Sequence, residues 1–222
     1  LIFIPTENNV DTPNIDSLLN EWGMQVNPGY VYETSTDRLV SNSSPYIFTV
    51  DDTDYYTTGL KNPNIPVVTL FARSVTLSDS SVSHALLTTS TSAGIYPTDA
   101  DDTWNYKNGI TGENINVAAE GVKSNTDNAS SKVVVFGSYS MFTSDIMSYN
   151  SFNNAGYFMN MINTLADKDD AGITIEGKSM QNAELGITDA TTKNTLFVIF
   201  VIVVPVAVLV TGIVMWLRRR NK

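Results

Sequence analysis

Over most of this chain apolar residues come in short runs, spaced for strands or for one face of a helix. Near the end these give way to one uninterrupted apolar stretch. Leu1–Ile4 reads as a strand. Thr12-Pro13 opens a helix, with Thr12 as cap and Pro13 in the first helical position. Ile15, Leu18, Leu19 and Trp22 then fall at i, i+3, i+4 and i+7 on one apolar face, and Gly23 closes the helix. Strand-like pieces follow at Tyr30–Thr34, Tyr46–Val50, Val67–Leu77, Ala85–Thr89 and Ile115–Ala118. Ser41–Pro45 and Lys61–Pro66 read as loops between them, and Pro97–Gly112 as a longer polar excursion.

Val133–Phe136 is an apolar run of the kind found in fully buried strands. Gly137 follows, then a short helix around Met141–Met147. A second helix starts near Asn153 or Asn154 and gathers Tyr157, Phe158, Met161, Ile162 and Leu165 on one face. Ile173–Glu176 reads as a last strand. Strands alternating with helices predict an α/β fold with a partly parallel sheet, and the strand-rich middle, Tyr30 to Ala118, predicts a mixed or antiparallel extension.

Thr195–Leu217 carries no charge, and Arg218, Arg219, Arg220 and Lys222 follow at once. As a helix these 23 residues span roughly 34 Å, enough for a bilayer core of about 30 Å. Trp216 beside the arginines suits an interface, and Pro205 is tolerated better in lipid than in water. The predicted order is an extracytoplasmic α/β domain at 1–180, a linker at 181–194, a transmembrane helix at 195–217 and a cytoplasmic basic tail at 218–222. The positive-inside rule sets that orientation in the cell membrane. The chain opens on a strand without an export signal, so an upstream part carrying one is expected.

Charge sharpens this picture. All 23 acidic residues precede Thr195 and four of the 13 basic residues follow it, so the N-terminal part has nine bases and a net charge of −14. Such a domain repels nucleic acid and anionic lipid. The absence of cysteine removes disulfides, thiolate metal sites and cysteine nucleophiles.

Candidate chemistry is sparse. His84 is the only histidine, and a hydrolase would have to combine it with a serine such as Ser138. No nucleophile elbow, phosphate-binding loop or zinc-protease motif occurs, and no cofactor is expected. Ser138, Tyr139 and Ser140 follow the buried strand where doubly wound folds place ligands; the alternative is a turn at Gly137 with a serine capping the next helix. Asp99, Asp101 and Asp102 suggest a calcium loop by spacing, although the EF-hand pattern fails at Trp104 and Ile110. Asp51, Asp52 and Asp54 form a second acidic group. Tyr55, Tyr56, Tyr96, Trp104 and Tyr106 set aromatics beside these acids, as in many sugar sites.

Three segments together resemble the gliding-motility-type (GldG-like) ABC transporter auxiliary proteins. Pro13–Met24 (PNIDSLLNEWGM) is similar to that family's "N-L-N-x-L-L-x-x-[WY]-G-[IV]" segment. Val133–Ser140 with Asn154–Ala166 resembles its late strand and helix. Val204-Pro205 through Thr211-Gly212 to Trp216-Leu217-Arg218-Arg219 resembles its closing membrane segment. The family's acidic G-D-S-D turn is Gly137-Ser138-Tyr139-Ser140 here, and Thr164 stands where the family has Trp. The resemblance implies a flavodoxin- or amidotransferase-like α/β domain outside the membrane, with no catalysis of its own, partnering an ABC permease and ATPase. Its anchor would pack on permease helices through Pro205 and Gly212. A free-standing surface protein binding carbohydrate or calcium is the alternative.

Overall fold

A computed structural model gives the fold and describes residues 1–6, 12–41, 44–53, 55–57, 60, 62, 64–124, 130–166, 168 and 190–220. The chain divides into two compact units, Leu1–Ile173 and Thr174–Lys222.

The first unit is built on a six-stranded mixed sheet. In chain order its elements are β1 (Ile2–Phe3), α1 (Pro13–Glu21), β2 (Met24–Val26), β3 (Tyr30–Tyr32), β4 (Ile47–Asp52), β5 (Val67–Leu70), β6 (Val75–Leu77), β7 (Ser83–Thr88), β8 (Gly94–Tyr96), β9 (Asn116–Ser124), β10 (Ser130–Phe136), α2 (Ser144–Met147) and α3 (Asn154–Leu165). The sheet order is β1-β10-β9-β7-β4-β5, with β2–β6 and β3–β8 as separate two-stranded ribbons. Among the described strands only β1 and β10 pair in parallel. The remaining pairings are antiparallel, including β9–β10 over seven residue pairs. The expected α/β class holds at that level, and the parallel part of the sheet shrinks to one pair.

Alternation along β9 and β10 sends neighbouring residues to opposite faces, and both faces are covered. Ala118, Val134 and Phe136 join a core completed by Tyr157 and Met161 of α3, with Phe158, Ile162 and Leu165 packed against it. Ala119, Val133 and Val135 join a second core with Leu19 of α1, Met24, Val26 and Val75, flanked by Ile15 and Trp22. The predicted apolar faces of both helices are the faces that are buried. Burying a large apolar side chain contributes about 2 kcal/mol.

Local departures have local causes. Thr12 stands at the start of α1, but its hydroxyl donates to the Asp16 carboxylate and caps no backbone N–H. Gly23 adopts φ 69° just past the helix, the left-handed conformation that terminates helices at glycine. The predicted strand Val67–Leu77 breaks into β5 and β6 at Phe71, whose φ is 48°. β9 runs on to Ser124, well past the predicted end at Ala118. The helix expected at Met141–Met147 is a 3-10 turn over Ser140–Phe142 followed by α2. The strand expected at Ile173–Glu176 lies outside the described residues.

In the second unit α4 (Ala190–Phe197) leads through a wider π-helical stretch, Val198–Val203, into α5 (Val204–Arg220). Helix therefore already occupies the last residues of the expected linker. The wider turns end just before Pro205, whose missing N–H and bulky ring disturb the hydrogen-bond ladder on that side. The helical run Asn194–Arg220 has 27 residues and is long and apolar enough to cross a membrane. The Thr211 hydroxyl donates back to the carbonyls of Ala207 and Val208, so its polarity is satisfied within the helix. The Arg220 guanidinium lies 5.4 Å from the Trp216 ring centre, and a Cβ at Gly212 would meet no side chain of the described residues within 4 Å.

Candidate functional site

The residues singled out after β10 form the turn that follows it. Ser138 is buried. Its hydroxyl donates to the Leu70 carbonyl and accepts from the Met141 N–H. It ties β5 to the turn that follows β10. Ser140 is also buried, and its carbonyl accepts from the Thr143 hydroxyl. Only Tyr139 points a large exposed side chain outward. Gly137 is required by close approach: its N–H donates to Val117 O, its carbonyl accepts from Arg73 N–H, and any Cβ here would collide with the Arg73 carbonyl.

Among the described residues no group of three or more His, Asp or Glu side chains is placed to hold a metal ion. Asp101 accepts from the backbone and hydroxyl of Thr103, and these bonds hold its carboxyl below the usual carboxylate range. Asp51 forms a two-pronged pair with Arg38 at 2.5 and 2.8 Å. Asp54 lies outside the described residues.

A site that sequence reasoning passed over forms around Glu120. This residue sits mid-β9 and shares a face with Ala118, so its carboxylate points into the α3-side core and is buried. Its cross-strand partners are His84 on β7 and Val134 on β10. The Tyr56 hydroxyl donates to Glu120 Oε1 at 2.7 Å. Lys132 Nζ lies 3.5 Å from the same oxygen and 5.9 Å from the Tyr56 ring centre. His84 Nε2 is 3.1 Å from Oε2, yet its N–H is not aligned as a hydrogen bond. Tyr55, 55% exposed, stacks over the imidazole at 4.0 Å.

Burial raises the Tyr56 phenol's pKa, and the hydrogen bond to Glu120 raises it further, so the phenol stays a proton donor. Burial lowers the His84 pKa, against the opposing pull of Glu120. Chemically the cluster compensates one buried carboxylate and offers a proton-accepting imidazole beside it. The signal that could have exposed it is the single acid alternating with Ala118 and Val122 inside the otherwise apolar run Val117–Val122.

The aromatic residues divide into two places. Tyr55 and Tyr56 belong to the Glu120 cluster. Tyr96, Trp104 and Tyr106 instead meet Tyr32 of β3 and Tyr46. Tyr96 packs edge-on to Trp104 at 4.6 Å, and Trp104 to Tyr106 at 5.4 Å. The buried Tyr32 ring contacts both Trp104 and Tyr106, and its hydroxyl donates to the Tyr106 carbonyl. The polar excursion is thus folded back by its own rings, and Ile110 bridges to Gly94.

No family model matches the chain, and no curated protein matches it. A solved structure described as "mmIFT52 N-terminal domain" is similar at 17% identity and a TM-score of 0.49, covering 68% of this chain and 57% of that one. The chain thus spans less than two thirds of that neighbour's length.

Proposed function

We propose that this chain is a non-catalytic, membrane-anchored auxiliary subunit of an ABC-type transport or gliding-motility-like system. Its α/β unit lies outside the cytoplasm and scaffolds the complex or binds substrate near the permease. The observation that carries the reading is the 27-residue apolar helix that ends in three arginines. Under the positive-inside rule those arginines face the cytoplasm. Pro205 and Gly212 leave a surface on which a permease helix packs closely. Support for a structural rather than chemical role comes from Ser138, whose hydroxyl is committed to backbone partners.

The same reading places the unit near the flavodoxin- or amidotransferase-like folds and the GldG-like family. In its favour are the buried β10, the turn at Gly137, the parallel β1–β10 pair and helices against both faces. The test is purification of the full chain from its native membranes in a mild detergent. Stoichiometric recovery of a permease and a nucleotide-binding ATPase is the expected result, and recovery of the chain alone across several detergents would overturn it. In that case a free-standing surface binder becomes the better reading, with the Trp104 cluster as its first candidate surface.

A further inference from the structure

Beside the aromatic cluster one ring is carried on strained backbone. Phe71 sits in the left-handed region at φ 48°, where an aromatic residue is strained, and its ring is 38% exposed. Its N–H donates to Tyr46 O. Its ring stacks on Tyr46 with centres 5.6 Å apart and planes 17° from parallel. A glycine would relax this backbone, and burial gains little from a ring that faces outward. The strain turns the Phe71 ring onto a surface already lined by Tyr46, Tyr96 and Tyr106. Tyr96 stands at 90° to Tyr46 and Tyr106 at 61°, so the rings form steep walls around Tyr46.

We propose that this surface, with Phe71 and Tyr106 as its exposed rings and the half-buried Tyr46 between them, binds an organic cation of the quaternary-ammonium class. Two observations favour a cation over a neutral ligand. First, the rings are π-faces without a cation of their own: among the described residues no lysine or arginine lies over Tyr46, Phe71, Tyr96, Trp104 or Tyr106. The cation–ring contacts found elsewhere are already filled, by Lys123 on Trp22 and Lys132 on Tyr56. Second, the surroundings are acidic. On the same excursion as Trp104 and Tyr106 the three acids Asp99, Asp101 and Asp102 outnumber the one base, Lys107, and the residues before Thr195 carry a net charge of −14. That field attracts a cation, and the ring quadrupoles hold it once it has shed water. A neutral sugar would gain nothing from the field. The inference does not rest on the transporter reading and stands or falls separately from it.

The test is calorimetric titration of the full chain in a polyoxyethylene detergent, which carries neither choline nor sugar. Choline is the probe, and 3,3-dimethylbutan-1-ol is its uncharged isostere. Choline should bind, with the isostere weaker by about tenfold. Tyr106→Ala and Phe71→Gly should each weaken choline binding by a similar factor, while the thermal midpoint of Phe71→Gly stays level or rises. Equal affinity for the isostere would reduce the surface to an apolar patch and overturn the proposal. So would choline binding that survives both substitutions, an absence of choline binding, or binding of simple sugars in its place. If Phe71→Gly fails to fold, Tyr106→Ala at the 41%-exposed Tyr106 decides alone.

Discussion

The Tyr56 hydroxyl donates a 2.7 Å hydrogen bond to Oε1 of the buried Glu120, and so links the segment after β4 to the middle of the sheet. The carboxylate has few other compensations, with Lys132 at 3.5 Å and an imidazole that is close but misaligned. Tyr56→Phe removes the bond without changing the ring. A hydrogen bond to a charged group contributes about 2 kcal/mol, and that loss is expected in urea denaturation of the full chain in detergent. A loss below about 0.5 kcal/mol would show that water replaces the phenol.

His84 gives the cluster a pH dependence. Its folded pKa lies below the ordinary value of 6.5, chiefly because burial penalises the charged ring. The unfolded chain therefore takes up the proton first as pH falls. The stability associated with neutral His84 is complete above about pH 6.5 and is lost as pH falls through the lower, folded pKa. Melting curves of the wild type and His84→Asn between pH 8 and 5 check this. The wild type should lose more stability on acidification than the variant, since the other titrating groups are common to both. Parallel curves would show that His84 keeps its ordinary pKa.

Gly137→Ala should be costly although alanine favours ordered backbone. The added methyl meets the Arg73 carbonyl where β10 turns, and neither that carbonyl nor the Val117 carbonyl that accepts the Gly137 N–H can move freely. A destabilisation of about 3 kcal/mol is expected from forcing a methyl group into a filled site. Chemical denaturation against the wild type measures it, and a neutral effect would mean that the turn relaxes.

Asn154, buried at the start of α3, accepts from Val68 N–H and donates to the carbonyls of Val68 and Met141. Asn154→Leu fills a similar volume but leaves three buried backbone groups without their partner. A loss of about 3 kcal/mol is expected, with the dissociation of α3 from β5 visible as early hydrogen exchange in Val68.

Helices and buried strands were legible in the sequence because their residues repeat a single spacing. Leu19 and Trp22 mark the buried face of α1, Tyr157 and Met161 that of α3, and the Val133–Phe136 run needs no partner to be recognised. Three-residue strands such as β2 and β8 carry too few residues for a period to show. β9 was cut short because Glu120 and Gly121 look like a strand's end, whereas Glu120 is buried by partners from β7, β10 and the Tyr56 segment that lie far apart in sequence. The break at Phe71 was invisible for a related reason. A left-handed aromatic residue follows from the tertiary ties around it, not from its own preference. The aromatics drawn together by composition separated into two clusters because proximity in sequence to an acid says nothing about which sheet edge a ring reaches.

The membrane helix offers the most direct test of the proposed role. A photo-crosslinking amino acid placed at Gly212, where a side chain meets no other side chain among the described residues within 4 Å, would be activated in the native membrane and its adducts identified by mass spectrometry. Adducts with a polytopic permease are expected if the helix packs as the anchor of an ABC-type assembly. Adducts with lipid alone, with the chain correctly inserted, would contradict the transporter reading and leave the helix as a tether.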